Sequence, residues 1–84
     1  MKKEDLNLDS VYYFVDPQHF KVWLWHGYNT TTRMKFISAK MAPAIRDKYG
    51  IAYKIVAVDQ GNEPPDFLEM LATDDFDQVI PSGN

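Results

Sequence analysis

The sequence contains no cysteine, which excludes disulfide bonds, thiolate nucleophiles and zinc sites built on cysteine. It also lacks an apolar run long enough to span a membrane, and none follows the charged start at residues 1–5, so we expect no signal peptide. Glycine-rich phosphate loops, paired nucleophiles and bases, and metal-binding sets of side chains are all missing. We therefore expect a cytoplasmic protein without enzymatic activity, cofactor or membrane partner.

The residues that are present predict one small folded domain over residues 1–84. Apolar residues make up 45% of the chain and aromatic residues 14%, which is typical of a globular domain and not of a disordered chain. We expect the core to lie within residues 6–71 and residues 72–84 to form an acidic C-terminal tail. An edge strand over residues 76–80 is the alternative, but the composition favours a loose tail.

The charge is distributed unevenly along the chain. The net charge is only −3, yet residues 30–49 carry five basic residues against one acid, and residues 59–84 carry seven acids and no base. A basic helix is compatible with nucleic-acid binding. The overall acidity and the lack of an arginine cluster argue against it, and we expect an acidic protein partner instead.

Three strands and a short helix are predicted around the basic segment. Residues 10–15 and 20–25 are rich in β-branched and aromatic residues and predict a hairpin, and residues 53–58 predict a third strand. Residues 66–71 predict a short helix that begins after two prolines. The fold class is α/β (α+β), with a mixed central sheet between one long and one short helix.

Four side chains outside the basic segment carry further expectations. We expect Trp23 and Trp25, which share one face of the second strand, to be core residues covered by the long helix. We expect the only two histidines, His19 and His26, to lie at the surface.

Residues 30–49 predict the long helix. Thr30 or Thr31 can cap its start, and Gly50 marks its end. Four apolar residues share one helical face, which we expect to lie on the sheet: Met34, Ile37, Met41 and Ile45. Pro43 removes one backbone hydrogen bond, so we expect either a kink or two shorter helices.

A second stripe of this helix is the candidate functional surface. It lies on the opposite, water-facing side and consists of Phe36, Ala39, Lys40, Pro43 and Asp47. A phenylalanine exposed beside alanine and proline indicates a contact for another protein. The alternative is that the tail or the N-terminal segment covers Phe36.

Four stretches, in order along the chain, are more specific than these patterns: residues 11–16, 22–27, 44–48 and 58–67. Together they resemble a gelsolin-like domain, the repeat unit of the gelsolin and villin actin regulators. The last stretch, Val-Asp-Gln-Gly-Asn-Glu-Pro-Pro-Asp-Phe, is similar to the Gln-Gly-x-Glu-Pro-x-x-Phe signature of that family. The resemblance covers residues 6–71.

The resemblance implies that the protein regulates actin by sequestering monomers, capping filaments or severing them. The outer face of the long helix would enter a cleft on actin, with contacts from Phe36, Ala39, Lys40 and Pro43 and with Arg33 and Asp47 on the rim. The alternative is a gelsolin-like interaction module in a larger assembly that does not contain actin.

The sequence departs from the family at its calcium sites and at its N-terminus. Ser10 and Thr32 stand where the family's internal calcium site has carboxylates, so we expect that site to be lost. Asp9 and Asp47 are the remaining candidate ligands for calcium. The family has further structure before the hairpin and little chain stands there here, so we expect a sheet edge that is either exposed or paired with another chain, as in self-association.

Overall fold

Two helices enclose a mixed β-sheet, as the sequence predicts. The computed structural model describes residues 2–82, so Met1, Gly83 and Asn84 of the predicted domain lie outside the described residues. The elements in chain order are a short 3₁₀ helix (Lys3–Asp5), β1 (Val11–Asp16), β2 (Lys21–His26), α1 (Thr32–Tyr49), β3 (Lys54–Asp59), α2 (Pro65–Thr73) and β4 (Gln78–Ser82). The predicted α+β fold class is confirmed.

The sheet of the described chain has four strands in the order β3-β2-β1-β4. Strand β1 pairs antiparallel with β2 and with β4, whereas β2 pairs parallel with β3. Parallel neighbours need a crossover connection, and α1 supplies it between β2 and β3. This topology places α1 against one face of the sheet.

Strand β4 corrects the prediction of a loose C-terminal tail. It pairs with β1 so that Val79 lies opposite Phe14 and Ile80 opposite Tyr13. Val79 packs on the α2 side of the sheet and Ile80 on the α1 side, so both apolar side chains gain from the pairing. Because β4 covers the outer edge of β1, the edge strands of the described sheet are β3 and β4, and self-association through an edge stays a prediction.

The side chains of the strands alternate between two cores. The core on the α1 side contains Val11, Tyr13, Val15, Val22, Leu24, Ala42 and Tyr53. The core on the α2 side contains Leu6, Phe14, Trp23, Trp25, Val58, Phe67, Met70 and Leu71. Successive strand residues point to opposite faces, so each strand contributes to both cores.

The core role of both tryptophans is confirmed, but their expected cover is wrong. Trp23 and Trp25 are fully buried on the α2 side and not beneath the long helix. The ring of Phe67, from α2, lies edge-on to Trp23 with 5.4 Å between centroids, a favourable aromatic geometry. The larger aromatic core therefore lies between the sheet and the short helix α2.

A buried carboxylate anchors the β1–β2 hairpin. Asp16 is completely buried at the end of β1. Its Oδ2 accepts a hydrogen bond from Trp23 Nε1 at 3.1 Å and lies 2.7 Å from His19 Nδ1, while Oδ1 accepts one from the His19 backbone N–H. The same carboxylate thus fixes the turn and satisfies the indole of a core tryptophan.

We expect Asp16→Ala to lower the free energy of unfolding by about 1 to 3 kcal/mol, because it leaves the buried Trp23 Nε1–H without its acceptor. Urea unfolding measures the change. Asp9→Ala, which removes an exposed carboxylate a few residues away, serves as the control and should leave stability within about 0.5 kcal/mol of the original. Equal losses in the two variants would contradict the anchoring role.

Candidate protein-binding face of the long helix

The ends of α1 follow from two residues that the sequence singles out. Thr31 is the N-cap, and its hydroxyl accepts a hydrogen bond from the Met34 N–H at 3.1 Å. Gly50 ends the helix with φ of 135°, a conformation that disfavours side chains, and its N–H donates to the Arg46 carbonyl. Of the two predicted caps, the structure uses Thr31, whereas the Thr30 hydroxyl donates to the Gly27 carbonyl.

The rotation of α1 on the sheet differs from the prediction. The buried residues of the helix are Ser38 and Ala42, and the hydroxyl of Tyr13 on β1 donates to the Ser38 carbonyl at 2.7 Å. Met34 and Ile45 are only half-buried, while Ile37 and Met41 are 44% and 55% exposed. The prediction that these four residues form the inner face is therefore wrong for Ile37 and Met41.

The physical reason is side-chain size. The strands beneath α1 already present a tyrosine and large aliphatic residues, so the helix fits closest through its small residues. Ser38 and Ala42 lie one turn apart and together form the line of closest approach. Hydrophobicity alone does not identify such a line, because it ranks isoleucine and methionine above serine and alanine.

Pro43 lies within one continuous helix that runs from Thr32 to Tyr49. Of the two predicted alternatives, that of two shorter helices is therefore wrong, and a kink stays a prediction. Pro43 is half-buried at the border of the outer face, and because its nitrogen carries no hydrogen, the Ala39 carbonyl lacks its usual donor. Ala39 is exposed.

The predicted contact stripe reaches solvent. Phe36 is 62% exposed, so the alternative in which the tail or the N-terminal segment covers it is wrong for the described chain. Lys40, one turn further, places its ammonium 5.6 Å from the centroid of the Phe36 ring, within the range of a cation–π contact. Arg33, Ala39, Lys40 and Asp47 are also exposed. Their role in binding stays a prediction.

The charged residues around this face are predominantly basic. Asp47, the one acid of the helix, accepts a hydrogen bond from Arg46 at 3.1 Å. The ammonium of Lys35 lies 3.5 Å from the carboxylate of Asp59 on β3. Lys40 and Lys48 project from the exposed side. The outer face of α1 therefore combines apolar side chains with a net positive charge.

The candidate calcium ligands lie apart from any cluster of acids. Among residues 2–82, no group of three or more histidine, aspartate or glutamate side chains is placed to share a metal ion. Asp9 is exposed, and Asp47 pairs with Arg46. Calcium binding by either residue stays a prediction.

The turn between β3 and α2 is held by Glu63. Its Oε1 accepts a hydrogen bond from the Gly61 N–H at 3.1 Å, and its Oε2 accepts one from Trp25 Nε1 at 3.0 Å. Gly61 has φ of 94°, which favours glycine. The residues of the Gln-Gly-x-Glu-Pro-x-x-Phe pattern thus build one structural unit, in which Phe67 fills the core that Trp25 shares.

His26 is buried, so the expectation of a surface histidine is wrong for this residue. Its Nδ1 lies 3.3 Å from Asp59 Oδ1, and its Nε2 has no hydrogen-bond partner within the described chain. Burial lowers the pKa of His26 below its ordinary value of 6.5, and the Asp59 carboxylate opposes that shift only in part. Lys35 adds to the lowering, so the protein favours the neutral form of the His26 side chain.

A solved structure has a fold similar to that of this chain. The sequence matches no protein-family model and no curated protein. The structure is similar to a chain in the crystal structure of the Thorarchaeota 2DGel3/rabbit actin complex, with a TM-score of 0.62 and 26% sequence identity. The match covers 81% of this chain and 34% of that chain, so the present chain corresponds to about a third of its neighbour.

The neighbour is a gelsolin-like protein in complex with actin. The same arrangement of a mixed sheet between a long and a short helix is present here. The chain therefore has the fold of a gelsolin-like domain. Within the described residues, neither helix is long and apolar enough to cross a membrane.

We expect stability to fall below about pH 6.5 in part through His26. The unfolded chain binds a proton there more readily than the folded chain, whose His26 pKa is lowered. The free energy of unfolding therefore decreases as the pH falls, by at most about 1.4 kcal/mol per pH unit from this residue. Urea unfolding of the original chain and of His26→Gln, from about pH 7.5 to about pH 5, isolates this contribution. Parallel curves would contradict it.

Proposed function

We propose that the chain binds actin through the outer face of α1, with Phe36 as its anchor. The observation that carries the proposal is an aromatic ring left in solvent on the long helix of a gelsolin-like domain. Support comes from the similar 2DGel3 structure, in which the neighbour is in complex with actin. The partner-binding residues are Phe36, Ala39, Lys40, Pro43, Arg33 and Asp47.

The chemistry of this face suits a partner whose apolar groove also contains acidic groups. Burying an exposed phenylalanine side chain contributes about 1.5 to 3 kcal/mol, and aromatic anchors commonly dominate interfaces. Lys40 keeps its charge beside the Phe36 ring, so an acidic group of the partner can approach the same point. Salt then weakens binding, because exposed charge pairs are screened.

Occupation of a cleft on actin gives the protein its regulatory effect. A bound domain excludes other occupants from that cleft, and it thereby slows filament growth by sequestering monomers or by capping. We place this activity in the cytoplasm, and we expect it to involve no catalysis. Actin co-sedimentation with and without calcium measures binding and any dependence on the metal.

We expect Phe36→Ala to weaken actin binding by about 2 kcal/mol or more, which is about thirtyfold in Kd. Polymerisation of pyrene-labelled actin and co-sedimentation measure the loss. The stability of the domain should stay within about 0.5 kcal/mol, because the ring is exposed.

Phe20→Ala is the matched control for that experiment. Phe20 is also an exposed aromatic residue, 55% accessible, but it lies in the hairpin turn against Tyr53. We expect it to leave actin binding unchanged. Polymerisation curves that match actin alone for the unsubstituted chain and for both variants would overturn the proposed function.

A further inference from the structure

Two apolar residues that the contact stripe does not include also face solvent on α1. Ile37 is 44% exposed and Met41 is 55% exposed. They are four residues apart, so they stack on one side of the helix. Neither belongs to the α1-side core cluster, whose α1 members are Ala42, Ile45 and Tyr49. Their exposure follows from the close packing of Ser38 and Ala42 on the sheet.

The pair forms a second flank of the exposed face. Successive helical residues are about 100° apart, so Phe36 and Ile37 point to opposite sides of the line along α1 that lies farthest from the sheet. We call this line the crest. Lys40 and Arg33 lie between the two flanks at this spacing. The exposed part of α1 is thus a ridge with Phe36 on one slope, Ile37 and Met41 on the other, and cations along the top.

The charge on the ridge disfavours a second copy of this chain as the occupant. In a two-fold dimer each surface meets its own copy, so the basic ridges of two chains would face each other and repel. Arg33, Lys40 and Lys48 are exposed there, while the carboxylate of Asp47 is engaged by Arg46. The ridge is complementary to an acidic partner with apolar walls.

We propose that Ile37 and Met41 contact a second wall of the same actin cleft, so that the partner holds α1 on both flanks. This inference rests on the proposed function and extends it to a second set of residues. A helix that lay flat on a surface through Phe36 would leave Ile37 and Met41 in water. A helix seated between two apolar walls buries both slopes and directs the cations of the crest into the cleft.

The two flanks differ in the side chains that they present. The Phe36 slope holds one large ring, whereas the Ile37–Met41 slope holds flexible and branched aliphatic side chains. Methionine adapts its shape to an irregular wall. The second flank therefore presents an adaptable apolar surface to the wall that it contacts.

The test is the double variant Ile37→Gln/Met41→Gln. Both side chains are exposed, so the change should leave thermal unfolding within about 2 °C of the original. We expect actin binding, measured by co-sedimentation at fixed salt, to weaken about tenfold or more. The control is Ile51→Gln, which changes an isoleucine that is 90% exposed beyond the end of α1, and it should bind as the original does.

The outcomes separate this inference from the function on which it rests. Loss of binding by Phe36→Ala and by the double variant, with Ile51→Gln unaffected, supports contact on both flanks. Loss by Phe36→Ala alone overturns the second wall and leaves the proposed function standing. Absence of actin binding by the unsubstituted chain overturns both, and sedimentation as a dimer that the double variant abolishes would assign the flank to a second copy.

Discussion

Close packing of α1 on the sheet through two small residues determines which side chains of that helix reach solvent. Ser38 and Ala42 are the buried residues of the helix, and the Tyr13 hydroxyl donates to the Ser38 carbonyl. This hydrogen bond links a strand side chain to the helix backbone and so fixes the helix in rotation as well as in distance. Larger side chains at these two positions would push the helix away from the sheet.

The opposite face of the sheet packs through large side chains instead of small ones. Large aromatic residues fill it, and each of its two tryptophans donates its indole N–H to a carboxylate. Trp23 donates to Asp16 and Trp25 to Glu63, so the polar atoms that accompany these rings are satisfied. Both acceptors also bind backbone N–H groups of turns. The α2-side core therefore fixes the hairpin and the β3–α2 turn together.

The sequence predicts the elements well because their signals are local. The Thr31 cap and the Gly50 stop each depend on residues a few positions apart. The rotation of α1, the strand β4 and the burial of His26 depend on partners that are distant in sequence. For β4, Val79 and Ile80 become partly buried only when β1 lies beside them, and a local pattern carries no information about that neighbour.

The candidate site was predicted in part for the same reason. Phe36 lies opposite the face of α1 that packs on the sheet. Its exposure is therefore predicted correctly even though the rotation of the helix is not. Ile37 and Met41 lie nearer the border between the packed and the exposed faces of α1. There the same error in rotation assigns an exposed residue to the core. Their hydrophobicity predicts that they belong to the core, yet they are exposed. The helix therefore meets the needs of packing and of partner binding with different residues. Small residues satisfy the fold, and large apolar residues remain available to a partner.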